Sequence, residues 1–275
     1  HYTFYIIHLS MIGIFDSGVG GLSVMKELIA AFPDYQMIYF GDTARVPYGN
    51  KSKETVTRYA LEDASFLIKK GAKLIIVACS TASAFALDTL KKKLKVPVIG
   101  VIEPSIKAAI ETTRNQKIGV IGTRGTVRSN IYVGLAKKID PKVQVFQQAC
   151  PLLVPLAEEN WVNKPETRRI IKYYLRPLKA RGIDTLILGC THYPLLAKTI
   201  QDIAGKSIKL ILPGQESAKA VQKLLKKNSK LEKSLTKTRK HHFYASDISG
   251  EFRNIGNRFL GRRIGKLIQA DVSKR

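Results

Sequence analysis

The chain is poor in cysteine, with three in 275 residues, and it has a single tryptophan. An odd, sparse set of cysteines excludes a small secreted scaffold built on disulfides. No Cys-x-x-Cys pair is present, so the usual zinc and redox-motif spacings are missing. No apolar run reaches the roughly 18 residues needed to span a bilayer. The first ten residues, HYTFYIIHLS, carry no Lys or Arg and so lack the positive start of a secretory signal. Acidic residues are also scarce: 21 Asp and Glu stand against 46 Lys and Arg, a formal charge of +25. Such an excess is either a solvated basic surface or a sign of an anionic partner. Helix-turn-helix, zinc-finger and aromatic stacking signals that would favour direct DNA reading are missing. Hydrophobic residues make up 45%, which suits a folded cytoplasmic protein.

Short apolar runs alternate with helical patterns: Met37–Phe40, Leu74–Val77, Val98–Ile102, Ile118–Ile121, Leu186–Leu188 and Ile208–Leu212. That alternation predicts an α/β protein with mainly parallel strands. Three segments recur in the same order. MIGIFDSGVG (11–20) matches KIGVIGTRGT (117–126), KLIIVACST (73–81) matches DTLILGCTH (184–192), and VIGVIEPSIKAA (98–109) matches IKLILPGQESAKA (208–220). Pairing Gly13 with Gly119, Cys79 with Cys190 and Ser105 with Ser217 gives offsets of 106, 111 and 112 residues. A near-constant offset predicts two similar α/β lobes related by a pseudo-twofold, with their matched loops facing across a cleft. The expected division is 11–105 with 221–265 for a discontinuous first lobe and 106–220 for the second. A returning strand is expected in HHFYAS (241–246) and a helix over Glu251–Leu260. Residues 1–10 read as an extension before Met11 or as an extra strand, and Asp271–Arg275 as a frayed polar tail.

Cys79 and Cys190 each follow an apolar strand and precede a hydroxyl residue. In open α/β sheets the carboxyl end of a strand is where ligands bind. The following helix N-terminus is expected to lower the thiol pKa. Thiols on opposite walls of one cleft could remove a proton from one face of a carbon and return one to the other, a racemisation or epimerisation that needs no cofactor. The plain alternative is two small buried residues, and a metal held by Cys79, Cys190 and His192 is a third. Cys150, before Pro151 and outside the repeat, reads as structural. A disulfide between Cys79 and Cys190 is not expected in a reducing cytoplasm.

FDSGVGGLSV (15–24), YFGDTARVPYGNKS (39–52), IIVACSTASA (75–84), GVIEP (100–104), IGTRGTV (121–127), ACPLLVPLAEE (149–159) and ILGCTHYPLL (187–196) resemble the bacterial glutamate racemases of the aspartate/glutamate racemase superfamily. The resemblance extends from about Met11 to about Gly261. It implies two α/β lobes with the site between them, no pyridoxal phosphate and no metal. It implies that Cys79 and Cys190 are the acid/base thiols, assisted by Asp16 on the first side and by His192 and Glu158 on the second. Asp16, Ser17, Pro47, Tyr48, Gly49, Ser80, Thr81, Thr123, Thr126 and Thr191 would hold glutamate. It also implies a homodimer and a supply of D-glutamate for peptidoglycan synthesis. Some relatives inhibit DNA gyrase, so a nucleic-acid or gyrase role for the basic surface is the rival from another class; an aspartate racemase is the rival enzyme.

Taken singly, these residues have simpler readings. Asp16 and Ser17 could cap a turn, and Thr123 and Thr126 could start a helix. Tyr48 could pack in its turn, His192 in a core, and Glu158 could be a solvated carboxylate. Two positions depart from the family pattern: Ser80 stands where Asn is usual, and Ser105 where Gly is common. A hydroxyl reaches less far than an amide, so weaker substrate binding is expected. The charge is partly local, with nine basic residues and one acid, Glu232, between Lys219 and Lys240. That stretch reads as a solvated helix and loop.

Overall fold

A computed structural model of the chain describes residues 9–272. Residues 1–8 of the N-terminal segment and 273–275 of the tail lie outside the described residues. The strands, in chain order, are β1 (Met11–Asp16), β2 (Met37–Gly41), β3 (Ala72–Val77), β4 (Val98–Gly100), β5 (Lys117–Gly122), β6 (Gln144–Ala149), β7 (Thr185–Gly189), β8 (Lys209–Ile211), β9 (His242–Ala245) and β10 (Leu267–Gln269). The helices are α1 (Leu22–Ala31), α2 (Lys53–Lys69), α3 (Ser80–Lys93), α4 (Ile102–Thr112), α5 (Arg124–Arg128), α6 (Ile131–Ile139), α7 (Leu153–Glu158), α8 (Pro165–Ala180), α9 (Ala197–Ala204), α10 (Pro213–Lys227), α11 (Ser229–Ser234) and α12 (Phe252–Leu260).

One sheet has the order β10-β9-β2-β1-β3-β4 and the other β6-β5-β7-β8, and every pairing is parallel. The run β2-β1-β3-β4 repeats as β6-β5-β7-β8, which is the expected two-lobe architecture. The sequence repeat therefore marks matching strands: β1 with β5, β3 with β7, and β4 with β8. β9 and β10 add to the edge of the first sheet, beside β2.

The central strands are buried on both faces, as parallel strands covered by helices must be. Their side chains alternate between two cores. Ile12, Ile14, Leu74 and Ile76 join Ile118, Val120 and Ile187 in a core shared by both sheets. Phe15, Ile75 and Val77 face an outer core of the first lobe, while Ile121, Leu186 and Leu188 face an outer core of the second. The repeat also exchanges helices. α4 follows β4 yet packs on β7 and β8, and α10 follows β8 yet packs on α1. The boundaries at 105/106 and 220/221 thus fall inside α4 and α10.

Some elements differ from expectation. The run Val98–Ile102 is a strand only to Gly100, because Pro104 fixes a helical φ and α4 begins at Ile102. The polar edge strand β6, QVFQQA, shows no apolar run in the sequence. The basic stretch 219–240 covers the end of α10, all of α11 and the link to β9. No helix of the described residues is long and apolar enough to cross a membrane.

Candidate active site

The carboxyl ends of β1, β3, β5 and β7 deliver Ser17, Cys79, Thr123 and Cys190 to one cavity of about 430 Å³. Pro47, Tyr48, Gly49, Ser80, Thr81, Glu158, Thr191 and His192 also line it. Twelve of the expected site residues thus meet at one place. Asp16 and Thr126 do not line the cavity: both are fully buried, directly behind residues that do. Among the described residues, no lysine or arginine is among those lining it. Other spaces of similar size exist among the described residues; the one between α4 and α10, about 440 Å³, carries no thiol. Its lysines are partly neutralised, by Lys107–Glu103 at 2.6 Å and Lys219–Glu216 at 2.9 Å.

On the first wall, Cys79 caps α3: the backbone N–H of Ala82 donates to its Sγ at 3.5 Å. The thiol donates to Ser17 Oγ at 3.6 Å. The expected depression of its pKa does not hold. Burial and the nearby Asp16 carboxylate push the Cys79 thiol up to about 12, outweighing the Ala82 N–H. Cys79 therefore rests as a protonated thiol. Asp16 accepts from Gly18 N–H at 3.2 Å and from Thr191 Oγ1 at 3.5 Å. Burial raises its carboxyl, opposed by the charge of His192.

The second wall differs. No α-helix starts at Cys190; a turn and the 3-10 segment Tyr193–Leu196 come before α9, so the expected helix N-terminus is not there. His192 takes that place, with Nδ1 3.7 Å from Cys190 Sγ and Nε2 2.8 Å from Glu158 Oε1. Burial disfavours the imidazolium, but these two hydrogen bonds prevail and push His192 up to about 10. The two walls therefore differ in their contacts: Cys79 meets Ser17 and the start of α3, and Cys190 meets His192.

Hydroxyls and helix ends from both lobes close the cavity. Thr81, at the start of α3, lies 2.9 Å from Thr123 Oγ1 and 3.3 Å from Thr126 Oγ1. Thr123 caps α5 by accepting from Thr126 N–H at 3.2 Å. Two helix N-termini with free N–H groups thus converge, a setting that binds carboxylates without a cationic side chain. Ser80 Oγ is buried and has no hydrogen-bond partner among the described residues. The Tyr48 hydroxyl is engaged elsewhere, with Asp42 and, at 2.9 Å, with Asp63; burial and both carboxylates push it up. Arg45 ties these carboxylates together, 2.7 Å from Asp42 and 3.0 Å from Asp63.

Sequence reasoning missed the part of the wall made by the returning chain: Asp247, Ser249, Phe252 and Ile255. Asp247 lies two residues past the end of β9, in the loop at its carboxyl end, and that strand-end loop was the available signal. It also missed the Asp42–Arg45–Asp63 cluster. Among the described residues, no group of three His, Cys, Asp or Glu is placed to hold a metal ion.

The family model for Asp/Glu/Hydantoin racemase matches residues 12–221. A glutamate racemase from Geobacter metallireducens is 50% identical over 261 residues, covering 95% of this chain and 96% of its own length. The crystal structure of the glutamate racemase isoform RacE1 from Bacillus anthracis superposes with a TM-score of 0.89 at 39% identity, covering 95% of this chain and 97% of that one. The glutamate racemase of Francisella tularensis, solved with D-glutamate, also gives 0.89, at 37% identity over 98% of this chain and 100% of its own. Two thiols at matched strand ends, in one cavity of a repeated α/β frame, are thus found in a chain that belongs to the Asp/Glu/Hydantoin racemase family.

Proposed function

We propose that this chain interconverts L- and D-glutamate by two-thiol proton transfer and supplies D-glutamate for peptidoglycan synthesis. The observation that carries the reading is the placement of Cys79 and Cys190 at matched strand ends on two walls of one cavity. In one direction the Cys190 thiolate takes the α-proton: an S–H bond forms, the Cα–H bond breaks, and its electron pair spreads into the α-carboxylate. The Cys79 thiol then gives its proton to the opposite face of the carbon. Turnover leaves Cys190 protonated and Cys79 ionised, which is the starting state for the other enantiomer.

His192, held by Glu158, carries the positive charge that offsets the Cys190 thiolate. Asp16, buried behind Ser17 and Gly18, acts on Cys79 through its charge. The carbanion-like state needs donors where charge develops. Thr81, Thr123, Thr191 and the N–H groups of the α3 and α5 ends supply them. The lobes 11–105 with 221–265 and 106–220 form the two walls, and the chain works as a cytoplasmic homodimer. Circular dichroism of purified protein with L- or D-glutamate and no added cofactor tests the reading. The signal from either enantiomer should decay to zero. A stable signal from both would overturn the proposal, and a preference for aspartate would redirect it.

A further inference from the structure

The chain's return supplies more than a wall of the cavity. α12 is seated firmly on the first lobe: a Cβ at Gly256 would lie 2.4 Å from Ile264 Cδ1 and 3.0 Å from Leu22 Cδ1. Asn257 Oδ1 accepts from Ile264 N–H at 2.7 Å, fixing the end of the helix. From this platform two side chains reach the Cys190 wall. The Phe259 ring meets the His192 ring edge-on, with centroids 5.1 Å apart. The Arg258 guanidinium donates through Nη2 to the backbone carbonyl of Glu158.

That carbonyl closes α7, where helix carbonyls lack intrahelical partners and a cation is favourable. The Arg258 Nε is buried with no hydrogen-bond partner among the described residues. Leaving a donor unsatisfied costs stability, and the orientation that reaches Glu158 is kept regardless. Glu158 in turn accepts from or pairs with His192 at 2.8 Å. Its side chain is 37% exposed, so packing alone does not fix it.

We propose that Arg258 is a positioning residue, holding the end of α7 so that Glu158 orients His192 toward Cys190. This rests on the two-thiol reading above. Arg258 acts through Glu158 and touches no reacting atom. The titratable groups facing His192 are Cys190, Glu158 and Asp16.

The test compares Arg258→Met, which keeps an apolar stem and removes the donor, with Arg258→Lys, which restores a cation. Arg258→Gln, polar but uncharged and too short to reach the Glu158 carbonyl, takes its place with the same expected losses if the Met variant fails to fold. In Arg258→Met, kcat should fall about ten- to a hundredfold, with the KM for glutamate changed by less than about twofold. Its His192 resonance, followed by NMR, should titrate well below the value of about 10 expected for the unaltered protein. Arg258→Lys should recover most of both. An unchanged kcat and His192 titration in Arg258→Met would overturn the proposal, as would a loss that Arg258→Lys does not repair. If the unaltered protein racemises nothing, the functional reading fails, while the His192 titration still decides the role of Arg258.

Discussion

A single methyl group at Gly20 should disable the Cys190 wall. Gly20 has no left-handed backbone; its constraint is closeness. A Cβ there would lie 2.5 Å from Thr191 Oγ1 and 2.6 Å from both Cε1 and Nδ1 of His192. Ordinary contact needs about 3.5 Å or more, so the imidazole must retreat by about 1 Å. Phe259 already occupies one side of that ring. The shift is spent on a ring whose two nitrogens are 3.7 Å from Cys190 Sγ and 2.8 Å from Glu158. A misplacement of about 1 Å costs roughly a hundredfold in rate, near 2.7 kcal/mol of barrier. Overpacking should also destabilise Gly20→Ala by about 1–3 kcal/mol. The assay is steady-state racemisation by circular dichroism, paired with thermal unfolding. Gly134→Ala is the control, because a Cβ at Gly134 meets nothing within 4 Å and lies in helix α6. That variant should keep its activity and gain about 0.5–1 kcal/mol. A folded Gly20→Ala with kcat within about threefold of the parent would refute the reasoning.

Further outcomes follow from the same geometry. Cys79→Ser and Cys190→Ser should each lower racemisation by at least about a thousandfold, since a proton-transfer group is lost on one face of the substrate; substantial turnover in either would sink the two-thiol mechanism. Ser80→Asn should raise kcat/KM for glutamate by about fivefold, because the partnerless buried Ser80 hydroxyl is replaced by an amide of longer reach; unchanged kinetic constants would count against it. Stability should also depend on pH. His192 is raised from 6.5 to about 10, so the folded protein keeps a proton that the unfolded chain releases. Its stabilising contribution is complete below pH 6.5 and disappears as pH rises through about 10. Urea unfolding across that window should show the decline, and His192→Gln should flatten it.

The parts of the fold legible in the sequence are those buried on both faces. β1, β3, β5 and β7 are mostly apolar because helices cover them on either side, and their likeness exposes the repeat. β6 was illegible since an edge strand with half-buried glutamines looks like a loop. The two thiols were legible because duplication puts them at matched strand ends. Their protonation was not: the sequence indicates a helix N-terminus at Cys79, but only the fold reveals that Asp16 and burial oppose it. Tyr48 shows the same limit, since its hydroxyl is held by Asp42 and Asp63 rather than offered to the cavity. Asp247, Phe252 and Arg258 reach the site from the end of the chain, where no motif joins them to the cysteines. Little of the +25 charge enters the site: among the described residues no lysine or arginine lines the cavity, and Arg45 and Arg258 stand only behind its walls.

The central claim is that two different sulfurs serve the two faces of one carbon. Racemisation of L-glutamate in deuterium oxide, stopped early and analysed by mass spectrometry after separating the enantiomers, tests it most directly. The account predicts D-glutamate carrying deuterium at Cα while the remaining L-glutamate keeps its protium, with the mirror result from D-glutamate. Protium retained in the product, or deuterium entering the remaining substrate as fast as product forms, would point to a single base and contradict it.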